Sequence, residues 1–176
     1  MEKKTLKQIS RIAILSALAI VLRLAFSALP NIQPITAIFL VCAVFYGFWE
    51  SFLIMTVTML ITSFLLGFGP WVLGQLISFG LVICLWKFCL YPMTKLFRFG
   101  NGNINGLGLQ SVLAGLMGIV YGILIDTYSA LLFSTSILAY IIAGMTFNLA
   151  HAISTLFFYP IILSIFRRLS SHEKNN

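Results

Sequence analysis

Residues 35–66 read ITAIFLVCAVFYGFWESFLIMTVTMLITSFLL, and the way this run divides decides the fold. Its 32 residues carry one charge, Glu50. As a single helix the run would extend about 48 Å, well beyond the ~30 Å hydrocarbon thickness of a bilayer. Gly47-Phe48-Trp49-Glu50-Ser51 lies near its middle. Glycine permits a tight turn. Tryptophan favours the membrane interface, and a carboxylate belongs among the headgroups. The run therefore reads as two shortish helices, about 35–48 and 51–67, joined by an interfacial turn.

Composition explains why a bilayer is invoked at all. Of 176 residues, 60% are hydrophobic and only 9% charged, and the mean hydropathy is +1.04. Soluble domains run near a quarter charged. Disordered chains and nucleic-acid arms need low hydrophobicity. An all-α integral membrane protein is what remains, because the apolar stretches are continuous and lack the period-two alternation of a barrel. The whole chain, 1–176, reads as one membrane domain. Outward from residues 35–66, the first helix covers about 9–29 and ends at Pro30-Asn31-Ile32-Gln33-Pro34, where two prolines break it. It is too long for a cleavable signal and lacks a small-residue cleavage pattern. Gly67-Phe68-Gly69-Pro70 precedes a fourth helix, about 71–91. Residues 92–110, rich in Asn and Gly, read as a polar loop. A fifth helix, about 111–133, and a sixth, about 137–166, flank Ser134-Thr135-Ser136.

The charges test the count. Lys3, Lys4, Lys7 and Arg11 precede or open the first helix; Lys87, Lys95 and Arg98 end or follow the fourth; Arg167, Arg168 and Lys174 follow the sixth. Six helices place all ten on one side, which the positive-inside rule makes cytoplasmic, together with both termini. The net charge of +7 then reports orientation and not an anionic partner.

The eleventh basic residue, Arg23, is about 18 Å into the membrane, and Asp126 stands at similar depth on the fifth helix. An intramembrane charge costs at least ~2.5 kcal/mol at a helix centre, so such residues face the bundle interior or an aqueous cavity. Three readings follow, the first two compatible: both line a substrate cavity open to the outside, they pair and bridge helices, or Arg23 snorkels outward. Asn31, Gln33, Trp71, Gln75 and Tyr128 cluster near the same outer level. Trp71 also suits a plain interfacial anchor. Asn148 and His151, three apart, share a helix face, where an interhelical hydrogen bond is the ordinary role. Cys42, Cys84 and Cys89 read as small hydrophobes. No metal site is expected. Gly115, Gly118 and Gly122, and Ala13 with Ala17, form small-residue faces that permit close helix approach.

No G-x-x-x-x-G-K-[ST] or H-E-x-x-H occurs, and four acids with one deep in the membrane make no ion-coupled relay. A binding subunit that borrows energy from a partner fits better than a pump or an enzyme. A membrane-embedded lipid enzyme or assembly factor would have to rest on Asp126 and His151, and a structural scaffold on the glycine and alanine faces.

The six-helix pattern with Ala13-x-x-x-Ala17 resembles the substrate-binding S-components of energy-coupling factor (ECF) vitamin transporters. Arg23 with Leu29-Pro30-Asn31-Ile32-Gln33-Pro34-Ile35-Thr36, and Leu66-Gly67-Phe68-Gly69-Pro70-Trp71 with Gln75, look like the CbrT-type cobalamin S-components. The match departs at Phe68-Gly69-Pro70-Trp71-Val72-Leu73, where that subfamily has a more polar Gln-Gly-Pro-Trp-Thr-Pro. The resemblance implies a high-affinity vitamin-binding subunit with no cofactor of its own. Its partners would be a transmembrane coupling subunit, meeting the Ala13/Ala17 face, and two cytoplasmic ATPases in the cell membrane. Cobalamin, large and rich in amides, suits neutral hydrogen-bonding groups and aromatic walls. An anionic vitamin such as folate or pantothenate would instead use Arg23, and riboflavin remains a further alternative.

Overall fold

The computed structural model describes residues 2–96 and 103–175. Among them every regular element is helical: α1 (Glu2–Ala25), α2 (Ile35–Tyr46), α3 (Phe48–Leu66), α4 (Trp71–Leu85), a π-helical turn (Trp86–Leu90), α5 (Tyr91–Leu96), α6 (Asn103–Leu132) and α7 (Ile137–Asn175). Five stretches are long and apolar enough to cross a membrane: those of α1, α3, α6 and α7, and α4 continued through the π turn into α5. Helix α2, with 12 residues, extends about 18 Å and falls short of a bilayer on its own.

The division of residues 35–66 is sharper than the sequence suggests. The turn is one residue, Gly47, at φ 93°, a conformation L side chains rarely adopt. Phe48, Trp49 and Glu50 therefore belong to α3 and not to a loop. Helix α1 begins at Glu2 and ends at Ala25, before the expected Leu29. The chain tightens there through i→i+3 bonds, Ser27 N to Leu24 O and Leu29 N to Phe26 O, because Leu29 precedes proline and resists the helical region.

The expected loop 92–110 is largely helical. Residues 92–96 continue into α5, and α6 starts at Asn103, eight residues early. Asn and Gly are loop signals, yet both are tolerated near a helix start, and the tertiary contact of buried Gln110 and Ser111 outweighs local propensity. Helix α7 also runs past Phe166 through the basic segment. Arg98 lies outside the described residues, as do the side chains of Lys3, Lys4, Lys95 and Lys174.

Helix α2 is the axis of the bundle. Nine consecutive residues, Ile35 to Ala43, are buried, so the other helices enclose it on all sides. The surrounding contacts fix directions. Helices α1 and α3 run parallel, with Arg11 beside Glu50, Ser16 beside Ile54 and Arg23 beside Thr62. Helices α2 and α7 also run parallel, with Thr36 beside His151 and Phe45 beside Phe166. Helices α6 and α7 are antiparallel: a Cβ on Gly118 would lie 2.9 Å from Ala152 Cα, and one on Gly122 would collide with Asn148. The glycine face thus lets these two backbones meet. The start of α1 and the end of α7 lie at one end of the bundle, with Arg11, Lys87, Arg167 and Arg168. The connections at the opposite end, residues 26–34, 67–70 and 133–136, carry no charge.

Candidate functional site

Polar side chains gather in the half of the bundle opposite the termini. Arg23 leaves α1 toward α3, where its Nη1 donates to Thr62 Oγ1 and contacts Met59 Sδ at 3.0 Å. Thr62 is held in turn by donating to the Thr58 carbonyl at 2.7 Å. Asp126 on α6 accepts from Asn148 Nδ2 of α7 at 2.8 Å. Gly144 makes room for that carboxylate, since a Cβ there would overlap it. Arg23 and Asp126 therefore do not pair: each charge takes a neutral partner on its own flank. Equal depth along two helices fixes height, not direction around the axis.

Tyr121 and His151 fill the space between. The Tyr121 ring stacks on Phe79 of α4 at 4.0 Å between centroids and lies 5.2 Å from the His151 ring. His151 is 4% exposed, and its Nε2 shares a 2.8 Å hydrogen bond with Thr36 Oγ1 at the start of α2. The histidine is thus engaged across α2 and α7, while Asp126 has Asn148 as its partner.

The connections at the end opposite the termini are tied down by residues expected to touch ligand. Asn31 Nδ2 donates to the Phe147 carbonyl at 3.2 Å, and Ser154 Oγ donates to the Gln33 carbonyl at 3.0 Å. These bonds fasten the 26–34 connection onto α7. Asn31 at φ 56° accepts a left-handed backbone to do so, which asparagine tolerates better than most residues. Tyr128 OH donates to the Pro70 carbonyl at 2.9 Å, and its ring covers Gly74. Trp71 is 42% exposed with its ring over Gly69. Beside it, Leu60, Phe68, Pro70, Val72 and Leu76 line an apolar cleft of about 450 Å³.

Two polar atoms in this half are buried with no hydrogen-bond partner, Arg23 Nε and Gln75 Oε1. One is a donor and the other an acceptor. Buried polar atoms are nearly always satisfied, so these two stand out within the layer.

No family model matches the chain, and neither does any curated protein or solved structure. The site is therefore read from its own chemistry. Ala13 and Ala17 lie on an exposed strip of α1, away from this layer, beside exposed Ile9, Ile14 and Leu18. Thr36, Thr62 and Tyr121 belong to the polar layer and were not singled out by sequence. The Thr58/Thr62 pair at i,i+4 was the available signal, and Tyr121 sits inside the Gly118/Gly122 segment that already marked a close approach.

Proposed function

We propose that the chain is the vitamin-binding membrane subunit of an ECF-type importer, with six traverses and both termini cytoplasmic. The observation that carries this reading is a division of labour along the bundle. One half holds a layer of neutral and charged hydrogen-bonding side chains around Tyr121 and His151. The α1 face bearing Ala13 and Ala17 is bare, because α1 packs mainly along α3. A capture site at one end and an unpartnered small-residue strip are what a subunit that binds first and docks afterwards requires.

The parallel pairing of α1 with α3 supports six traverses. The chain must reverse between them, and α2 supplies that reversal. Loops 26–34 and 67–70 then face outward, and the basic end faces the cytoplasm.

Cobalamin is the first ligand in this reading. Arg23 Nε can donate and Gln75 Oε1 can accept, roles that separate amide groups of a ligand can answer, and cobalamin carries several. Charge-poor walls with aromatic faces suit its bulk. Folate, pantothenate and riboflavin are the other vitamins to set against it. The subunit itself performs no chemistry; its partners are a coupling subunit and two ATPases that supply the energy.

The test is direct. Full-length protein in lipid nanodiscs should bind one vitamin from a panel of cobalamin, folate, pantothenate, riboflavin and thiamine, without ATP and at nanomolar strength. Arg23→Ala should weaken that binding at least tenfold. Absence of binding across the panel overturns the reading, and binding of another vitamin in preference to cobalamin replaces the ligand while keeping the class.

A further inference from the structure

The half of the bundle at the termini carries a second polar layer, which vitamin capture leaves unused. Trp86 of the π turn and Tyr159 of α7 are both fully buried. Their rings meet edge to face at 5.4 Å between centroids. Neither Trp86 Nε1 nor the Tyr159 hydroxyl has a hydrogen-bond partner. Gln110 of α6 is 8% exposed. Its amide donates to Thr94 Oγ1 at 3.3 Å, while its Oε1 has no partner.

The three residues lie at one level. Gly118 faces Ala152 and Gly115 faces Leu156, so little more than one further turn brings Gln110 to the level of Tyr159 and Pro160. Thr94, which holds the Gln110 amide, follows Tyr91 by three residues, and the Tyr91 ring is 6.2 Å from Trp86. The backbone is irregular at the same level. Residues Trp86–Leu90 form the π turn, and Pro160 stands inside α7. Proline has no N–H, so the carbonyl four residues earlier, at Leu156, loses its helical donor. Inside apolar helices such breaks are tolerated where side chains or ordered water satisfy the freed groups.

We propose that Trp86 Nε1, Tyr159 OH and Gln110 Oε1 form an internal hydration site whose ligand is water, lodged between the π turn, α6 and the Pro160 segment. The donor set selects it. Water can accept from the indole N–H and donate to the glutamine carbonyl, and the tyrosine hydroxyl can serve in either role. A buried water needs two to four polar partners, and this layer offers three side-chain atoms and the Leu156 carbonyl. All are neutral, so no ion is called for, and burial on every side admits nothing large. The site makes the two irregular backbone segments compatible with an apolar surrounding. It stands whether or not the protein binds a vitamin.

The experiment uses full-length protein in nanodiscs with tryptophan labelled by ¹⁵N at the indole. The chain has three tryptophans, Trp49, Trp71 and Trp86. Trp49→Phe and Trp71→Phe, both at exposed positions, assign the third signal to Trp86 by elimination. That N–H should show direct cross-relaxation from water despite full burial, in the wild type and in Tyr159→Phe, where no hydroxyl can relay it. Its absence in the wild type overturns the proposal. Thermal melts give an independent sign. Tyr159→Phe should lower Tm, because it removes a bond to bound water. An unpartnered buried polar atom would give an equal or higher Tm on removal, and that result overturns the proposal.

Discussion

Helices α1 and α2 are consecutive, and both are apolar through their middles, yet they occupy opposite situations. Helix α2 is enclosed on every side, with Ala37, Leu40, Val41, Cys42 and Ala43 fully buried. Helix α1 touches the bundle mainly along α3 and leaves Ile9, Ile14, Leu18 and Val21 exposed. In water this contrast would be unstable, because α1 would be driven to cover its apolar surface. In lipid the tails are as apolar as leucine, and association depends on packing and hydrogen bonds instead. Helix α1 is held by discrete polar contacts with α3, whereas α2 is held by steric enclosure. Apolarity therefore says that a segment enters the membrane, and says nothing about how central it is once there.

The strongest way to break the comparison is to enlarge a residue of α2. Ala37 and Ala43 have no exposed surface. Extra methylenes in a packed core typically cost about 1–3 kcal/mol, and a whole indole exceeds what the neighbours can absorb. Ala37→Trp should abolish the monodisperse folded protein, as seen by size-exclusion chromatography in detergent. Recovery of a normally folded Ala37→Trp protein would show that α2 is not the tightly enclosed axis.

The next effect concerns the clamp on α1. Arg11 Nε and Nη2 both donate to the Glu50 carboxylate, at 2.7–2.9 Å, and the guanidinium lies 4.1 Å from the centre of the Tyr46 ring. The two side chains are 27% and 13% exposed, so the pair is neither fully solvated nor fully buried. Bonds to charged groups are worth about 1.5–3 kcal/mol, and partial exposure favours the lower part of that range. Glu50→Gln should cost about 1–2 kcal/mol in a denaturation experiment. A double-mutant cycle with Arg11→Met should show coupling of the same order. Additive losses would mean that α1 is not fastened through this pair.

These contacts also show what the sequence could and could not convey. The breaks were legible because they depend on local chemistry. Gly47 is the turn inside residues 35–66, the prolines at 30 and 34 mark the connection that follows the earlier end of α1 at Ala25, and Gly67–Pro70 separates α3 from α4. The glycine spacing on α6 correctly pointed to a close helix approach. Partner choice was not legible. Arg23 and Asp126 were matched by depth, but Thr62 and Asn148 lie nearer in direction around the axis. The residues 103–110 were misjudged because their asparagines and glycines are loop-like only until Gln110 and Ser111 find buried contacts. The π turn at Trp86–Leu90 has no breaker in its sequence at all. It is imposed by packing, where local propensity carries no information.

The smallest structural effect is expected at Ala17, and it sharpens the contrast most. Ala17 is exposed on α1, next to buried Ser16, so the boundary between the packed and bare sides passes between adjacent residues. Ala17→Trp adds bulk toward lipid, where an indole is tolerated, and exposed substitutions usually stay within about ±0.5 kcal/mol. Tm should therefore hardly move, in contrast to the loss expected for Ala37→Trp. If the bare strip is the docking face of the proposed importer subunit, the same variant should also retain vitamin binding in nanodiscs. Uptake by cells expressing the complete transporter should then fall at least tenfold, because an indole stands where a partner helix would approach. Normal uptake would assign docking to another face and leave α1 as a lipid-facing helix. A loss of Tm comparable to that of an α2 variant would mean that α1 is packed on both sides, and the difference between the two helices would disappear.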